Sequence, residues 1–166
     1  MTEAEVTIQH EASHIAIALF CGIGVLGASI VRASDGNPDG VKIASAGSEA
    51  QTRYSWCMFY RFPYHWETDV LGESVDSATF SCSKDLANFA EVAESLWSGK
   101  FEEAKLQIDK DCKRILKYAF IARAIEKFSA AFRNKPILTQ SEIYDLWTSL
   151  IDTDSEANVK QPKPGS

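Results

Sequence analysis

The stretch that decides the start of the fold reads TEAEVTIQHEASHIAIALFC, from Thr2 to Cys21. Thr2 and Glu5 form a T-x-x-E capping box, so a helix is expected to begin almost at the first residue. It is expected to run through Phe20 or Cys21 and stop at Gly22, because glycine accepts the left-handed conformation that closes many helices.

The uncharged stretch over residues 15–31 raises the question of a membrane span. Its length is at the lower limit for crossing a bilayer, and it contains three glycines. The residues before it are acidic, whereas a signal peptide begins with basic residues. A buried helix that runs into a buried strand is therefore the expected structure, and no membrane is expected as a partner.

The next residues have the composition of a β-hairpin. Residues 26–34 and 41–44 are rich in Ile and Val, which predicts two strands. Residues 35–40 read DGNPDG, and this turn sequence predicts that the two strands are connected as a hairpin.

The remainder of the chain predicts helices with one ambiguous region. Seven aromatic residues lie between Tyr54 and Trp66, and Pro63 limits any helix there to about Phe62. Residues 72–83 are small and polar, which predicts a loop. Apolar spacing and capping signals predict further helices over residues 85–97, over 101–132, and from the capping box of Thr139 and Glu142 to Leu150 or Ile151.

These elements predict an α+β fold, mainly α-helical, in which a helix is followed by a small β-sheet and then a helical bundle. The 166 residues suit one domain, placed at residues 1–151, with a flexible polar tail over 152–166. The net charge is -6, from 23 acidic and 17 basic residues, which argues against nucleic acid as a partner.

The four cysteines do not have the spacing of a metal knuckle or of a disulfide framework. No two of them form a C-x-x-C pair. Free thiols in a reducing cytoplasm are therefore expected, and the location predicted for the chain is cytoplasmic. The four are Cys21, Cys57, Cys82 and Cys112.

The first helix carries an H-E-x-x-H motif at residues 10–14. Residues four apart lie on one face of a helix, so His10 and His14 can direct both imidazoles at one metal ion. Glu11 lies beside that point and suits a general base acting on a zinc-activated water. These residues predict a zincin-like active-site helix, with His10 and His14 as zinc ligands and Glu11 as the catalytic residue. The alternative is a pair of solvent-exposed or core-edge histidines with a surface glutamate.

A catalytic zinc site needs a third protein ligand and one open position. His65 is the remaining histidine, and Glu73, Asp76 and Asp85 are the carboxylate candidates. Asp85 is favoured because a helix start after a small-residue loop holds a carboxylate in a fixed place. The same position is also common for an aspartate that merely caps a helix, so the residues alone leave the choice open.

Residues 8–18, IQHEASHIAIA, are similar to the zinc helix of the FtsH-type peptidase family, the proteolytic domain of AAA-linked zinc proteases. The resemblance extends over roughly residues 5–150. The hairpin follows directly, and Asp85-Leu86 lies 71 residues after His14 (85 − 14), about where the family has its third ligand, an aspartate. Residues 130–147 are similar to the family's closing helix-turn-helix. The resemblance implies His10, His14 and Asp85 as ligands of Zn²⁺, and a hairpin edge near the metal that holds an extended peptide.

The chain also departs from the family pattern. Ser13 replaces the usual glycine of the motif, Ser81-Cys82 replaces a Gly-Ala pair, and Phe89 replaces an alanine. The aromatic cluster between Tyr54 and Trp66 takes the place of a helix rich in small residues. The family's membrane-bound members carry an ATPase domain and an anchor. Neither occurs in these 166 residues, so ATP-dependent proteolysis by this chain alone is not expected.

The resulting hypothesis is a zinc-dependent metallopeptidase acting on peptides or unfolded protein, with a separately supplied AAA-type unfoldase or a homo-oligomer as its expected assembly. The alternative is a non-catalytic zinc-binding protein of the same fold, and His65 as a fourth ligand would indicate that case. The aromatic cluster is expected to pack in the core, to contact another subunit or to line a substrate groove. Candidates for stabilising an oxyanion are Tyr54, Tyr60, Tyr64 and His65.

Overall fold

A computed structural model describes residues 1–32, 34, 36, 38–44 and 50–160. Within these residues the chain forms helices and a small antiparallel sheet, which confirms the predicted α+β, mainly α-helical class. The elements in chain order are α1 (Glu3–Phe20), β1 (Val25–Arg32), β2 (Pro38–Ile43), α2 (Ala50–His65), a π-helix (Trp66–Val70), α3 (Val75–Ser81), α4 (Ser83–Leu96), α5 (Phe101–Ile115), α6 (Ala119–Asn134), β3 (Ile137–Thr139) and α7 (Gln140–Lys160).

Helix α1 is the centre of the fold. Every residue from His10 to Ala18 is buried, and the helix packs against α2, α6 and the sheet. The second half of this stretch, residues 15–18, is apolar on all sides and needs such complete cover, whereas the first half carries the motif of residues 10–14. Among the described residues, none of the helices has the length and apolar character needed to cross a membrane.

The predicted ends of α1 are confirmed. The side chain of Thr2 accepts a hydrogen bond from the amide of Glu5 at 3.2 Å, as a capping residue does. At the other end Gly22 has a φ of +77°, which a residue with a Cβ adopts only at a cost. The helix therefore stops where the chain must turn into β1.

The predicted hairpin is confirmed by the antiparallel pairing of β1 with β2. A third strand, β3, pairs with the other side of β1, so the sheet order is β2-β1-β3. Strand β3 has no signal in the sequence, because three residues before a capping box are too few to show strand alternation. The predicted turn at residues 35–40 lies partly outside the described residues.

The expectation that Pro63 limits the helix to about Phe62 is wrong. Helix α2 continues to His65 and passes into the π-helix. Proline removes one backbone donor and disfavours the helical conformation before it. Its place near the end of α2, with Phe62 and Trp66 both buried on either side, lets core packing offset that cost.

Two further expectations are corrected. Part of the predicted loop at residues 72–83 forms α3, with Ser74 accepting a hydrogen bond from the amide of Ser77. The single helix predicted over residues 101–132 is two helices, separated at residues 116–118. No glycine or proline marks this break. Tyr118 leaves the helical path with ordinary extended backbone angles, which require neither residue. The break lets α5 pack on α2 while α6 packs on α1.

The last helix is longer than predicted. It continues to Lys160, past the expected end at Leu150 or Ile151, so residues 152–160 of the predicted tail are helical. Residues 161–166 lie outside the described residues, and the domain boundary at 151 stays a prediction.

Candidate metal centre

Three predicted ligands meet at one point between α1 and α4. The Nε2 atoms of His10 and His14 each lie 3.1 Å from the same oxygen, Oδ2 of Asp85. His10 and His14 project from one face of α1, and Asp85 is in the first turn of α4. The ligand atoms of all three residues lie within 4.8 Å of one another. The structure thus brings together the set that the resemblance implies.

These distances fit a tetrahedral zinc ion. Zinc binds nitrogen and oxygen ligands at about 2.0–2.2 Å, so two ligand atoms on a tetrahedron are about 3.3–3.5 Å apart. The contacts at 3.1 Å are close to that separation. Two imidazoles and one carboxylate are also a donor set typical of catalytic zinc, which has three protein ligands.

The electrostatic surroundings of Asp85 favour its charged form. Burial alone raises the pKa of Asp85, but the charge of His14 and the hydrogen bonds from His10 and His14 outweigh burial and hold it well below its usual range. Asp85 is therefore ionised at neutral pH. A metal ion that binds to this carboxylate and the two imidazole nitrogens would replace the protons that now lie between them.

His10 is held from its other side by Glu67, which the sequence analysis did not identify. The Nδ1 atom of His10 donates to Oε1 of Glu67 at 2.7 Å, and Ser81 Oγ donates to Oε2 of the same carboxylate at 2.5 Å. Glu67 is 1% exposed and belongs to the π-helix. A carboxylate behind a ligating histidine fixes its tautomer and ring orientation.

Cys82 lies in the same buried cluster. Its Sγ is 3.6 Å from Oε1 of Glu67 and 3.8 Å from Nδ1 of His10. Burial raises the pKa of the Cys82 thiol, so the protonated form is favoured in this arrangement. Burial alone lowers the pKa of His10, but hydrogen bonds to Asp85, Cys82 and Glu67 raise it well above its usual value.

His14 has different surroundings. Its ring lies 4.4 Å from the ring of Phe59, and its Nδ1 atom is buried with no hydrogen-bond partner among the described residues. The hydroxyl of Ser13 is also accommodated, because it donates to the backbone oxygen of His10 at 2.7 Å. Serine at this motif position therefore places no unpaired hydroxyl in the core.

Glu11 is the predicted base. Its side chain is buried, at 5% exposure, yet no described residue donates a hydrogen bond to it. Burial raises the pKa of Glu11, which the nearby imidazoles of His10 and His14 offset only in part. Its oxygens are not among the fully buried side-chain atoms that lack a partner, so they keep some contact with solvent, and their proton-accepting capacity is free.

The structure separates Asp85 from the other ligand candidates. His65 donates from Nε2 to Asp109 at 2.7 Å and does not belong to the His10, His14 and Asp85 cluster. Glu73 accepts a hydrogen bond from Ser77, and Asp76 is exposed. Neither is among the potential metal ligands that converge in the described part of the chain.

The aromatic cluster packs largely in the core, which confirms one of the three expectations for it. Phe59, Phe62 and Trp66 are buried, and Tyr54 donates to Asp111 on α5. Of the oxyanion candidates, Tyr60 is the one whose environment includes the metal centre. Burial raises the pKa of Tyr60, and the charges of Asp85 and Glu91 raise it further.

The interpretation of this centre rests on its geometry, because comparison with known proteins assigns no family to the chain. No protein-family model matches the chain, and no curated protein matches it either.

Proposed function

We propose that this chain is a zinc-dependent metallopeptidase of the FtsH type that hydrolyses peptide bonds with Glu11 as general base. The observation that carries the proposal is the carboxylate of Glu11, which accepts no hydrogen bond from any described residue and interacts electrostatically with His10, His14 and Asp85, the three residues that converge at one point. A zinc site with only a structural purpose has no need of such a base. His65, which would indicate a four-ligand structural site, pairs with Asp109 instead.

His10, His14 and Asp85 would hold the ion, and three protein ligands would leave one position open for water or substrate. Zinc bound there supplies Lewis acidity, which polarises a peptide carbonyl and makes water easier to deprotonate at neutral pH. Glu11 accepts the proton of the attacking water and returns it to the leaving amine. Its raised pKa suits both transfers, because a base that is too weakly basic would not take the proton.

The remaining residues position these groups. Glu67 keeps the Nε2 atom of His10 directed at the centre by holding Nδ1. Strand β2 is an edge of the described sheet, and it follows α1 and β1 in the chain. An edge strand offers free backbone groups that can pair with an extended peptide. We therefore propose peptides or unfolded protein as substrates.

The proposed setting follows from the same features. All four cysteines are unpaired, which agrees with the reducing cytoplasm. A folded substrate cannot lie extended along β2, so a separate AAA-type unfoldase or a homo-oligomer would deliver or confine it.

Bound zinc and peptide hydrolysis, measured together on three proteins, test this proposal. Glu11→Gln should keep one zinc per chain and lose at least about 100-fold in turnover of an unfolded substrate, since general bases contribute about 10²–10⁴. Asp85→Ala should lose both zinc and activity, whereas Asp76→Ala, an exposed acidic residue nearby in sequence, should keep both.

Two results would contradict the proposal. Unchanged hydrolysis by Glu11→Gln would remove the mechanism, and full zinc in Asp85→Ala would remove the ligand assignment. Tight zinc binding without hydrolysis of any unfolded substrate would favour the non-catalytic zinc protein.

A further inference from the structure

A second group of potential metal ligands lies on the opposite side of the His10 ring. It consists of Nδ1 of His10, Oε1 of Glu67 and Sγ of Cys82, and the three residues come from α1, the π-helix and the link between α3 and α4. Each of them is more than nine-tenths buried. The first centre uses the other nitrogen of the same ring, Nε2.

The spacing of these atoms matches a metal site that contains sulfur. With zinc–sulfur bonds of about 2.3 Å and bonds to nitrogen or oxygen of about 2.0 Å, tetrahedral S···N and S···O separations are about 3.5 Å. The observed separations are 3.8 Å from Sγ to Nδ1 and 3.6 Å from Sγ to Oε1. The 2.7 Å between Nδ1 and Oε1 is the length of their hydrogen bond, and it would lengthen once an ion replaces the proton.

We propose that His10, Glu67 and Cys82 form a second metal site, selective for thiophilic divalent cations, which competes with the first centre for the imidazole of His10. Thiolate is a soft ligand and favours soft metals, whereas the first centre offers only nitrogen and oxygen. Cadmium is therefore the informative probe. The site does not depend on peptide hydrolysis, because it requires only the three ligands.

Proton exchange makes this occupancy electrically feasible in a buried place. Nδ1 of His10 and Sγ of Cys82 each donate a hydrogen bond to Oε1 of Glu67. Binding of one dication releases these two protons to solvent, so the net charge of the buried group does not change. Ser81 still donates to the other oxygen of Glu67, which keeps that carboxylate fixed.

Competition follows from the chemistry of one ring. A neutral imidazole has one lone pair and one N–H, so it can bind a metal through only one nitrogen. With the ion on Nδ1, the proton remains on Nε2 and is donated to Asp85, at the 3.1 Å separation already present. Occupation of the second site thus removes one of the two imidazoles from the first.

Cadmium titration of the metal-free full chain tests the proposal through thiolate-to-cadmium charge-transfer absorption and the number of bound ions. Wild type and His14→Ala should develop the absorption, and Cys82→Ser should lose it while still binding one zinc. Cys112→Ser is the matched control, because that thiol is also fully buried but lies outside the cluster, and the absorption should persist. Cadmium added to zinc-loaded wild type should release the zinc.

The outcomes that overturn the proposal are equally definite. Absorption that is absent in wild type, or undiminished in Cys82→Ser, would remove the site. Cadmium and zinc bound together at two ions per chain would remove the competition. Failure of the proposed peptidase function can be told apart from failure of this site. A protein that binds zinc but does not hydrolyse peptides would still develop the cadmium absorption.

Discussion

At the scale of single residues, Glu67 has the clearest effect that remains to be measured. It is buried behind His10 and holds Nδ1 at 2.7 Å. Glu67→Gln is expected to weaken zinc binding by about 10–100-fold, the usual cost of removing a carboxylate that supports a ligating histidine. The amide still fills the space, so the effect should come from lost charge and not from a cavity. Competition with a chromophoric zinc chelator measures the affinity.

Glu73→Gln is the matched control for this measurement. Glu73 is a partly exposed carboxylate of the same short segment, and its side chain accepts from Ser77 away from the histidines. The Glu73→Gln variant should bind zinc with the same affinity as wild type. Equal affinity in Glu67→Gln as well would show that the hydrogen bond does not support the metal centre.

The sequence predicted the ligands of this centre better than their support. His10 and His14 follow from helical spacing alone, because four residues make about one turn. Asp85 needed the family resemblance to separate it from Glu73 and Asp76. Glu67 had no local signal, because its position behind His10 depends on the π-helix that follows Pro63. The sequence predicts Cys82 as a free thiol and as a departure from the family pattern, and its contact with His10 becomes evident only in the fold.

At the scale of secondary structure, the start of α7 tests how far a capping box contributes to stability. Thr139 Oγ1 accepts from the amide of Glu142 at 3.3 Å, and the amide of Thr139 donates to the Glu142 carboxylate at 2.8 Å. Thr139→Ala removes the first bond and should lower the free energy of unfolding by about 1 kcal/mol. Urea denaturation followed by circular dichroism measures this change.

Thr153→Ala provides the comparison inside the same helix. The hydroxyl of Thr153 is exposed and bonds back to the carbonyl of Ser149, which does not stabilise a helix appreciably. Alanine is also the better helix former, so stability should be unchanged or slightly higher. Equal losses in both variants would show that the cap contributes nothing special.

Element boundaries were predictable where a specific residue marks them. The capping boxes of α1 and α7 and the glycine after α1 gave correct ends. The break at residues 116–118 has no such marker, and the apolar spacing continues across it, so tertiary packing alone decides it. Pro63 is the opposite case, because a strong local signal was overruled by burial of its neighbours.

At the scale of the whole molecule, Asp109 ties α2 to α5 through a partly buried ion cluster. Arg61 donates to Asp109 from Nε at 2.7 Å and from Nη2 at 3.3 Å, and His65 donates to it at 2.7 Å. Burial alone raises the pKa of Asp109, but the hydrogen bonds from His65 and Arg61 outweigh burial and hold that pKa well below its usual range. The carboxylate is therefore ionised in the folded protein at pH values where it is already protonated in the unfolded chain.

This difference sets the direction of a pH effect on global stability. Because the folded pKa lies below the unfolded value of about 3.9, the stabilisation by Asp109 is fully present above that pH and is lost as the pH falls towards the folded pKa. Asp109→Asn should lower the free energy of unfolding by about 3 kcal/mol at pH 7, since it leaves the buried Arg61 without its charged partner. Near pH 3 the difference from wild type should be smaller, because Asp109 is then largely protonated in the unfolded wild-type chain, and this proton uptake lowers the free energy of unfolding of wild type but not of the variant.

Urea denaturation of metal-free protein at both pH values measures the effect without a contribution from zinc. Asp152→Asn, a change at an exposed position of α7, should match wild type at each pH. If Asp109→Asn is equally destabilising at pH 7 and at pH 3, the loss comes from packing and not from ionisation. A loss confined to neutral pH would instead identify the Arg61–Asp109–His65 cluster as a pH-dependent link between α5 and α2, the helix that leads into the π-helix and Glu67.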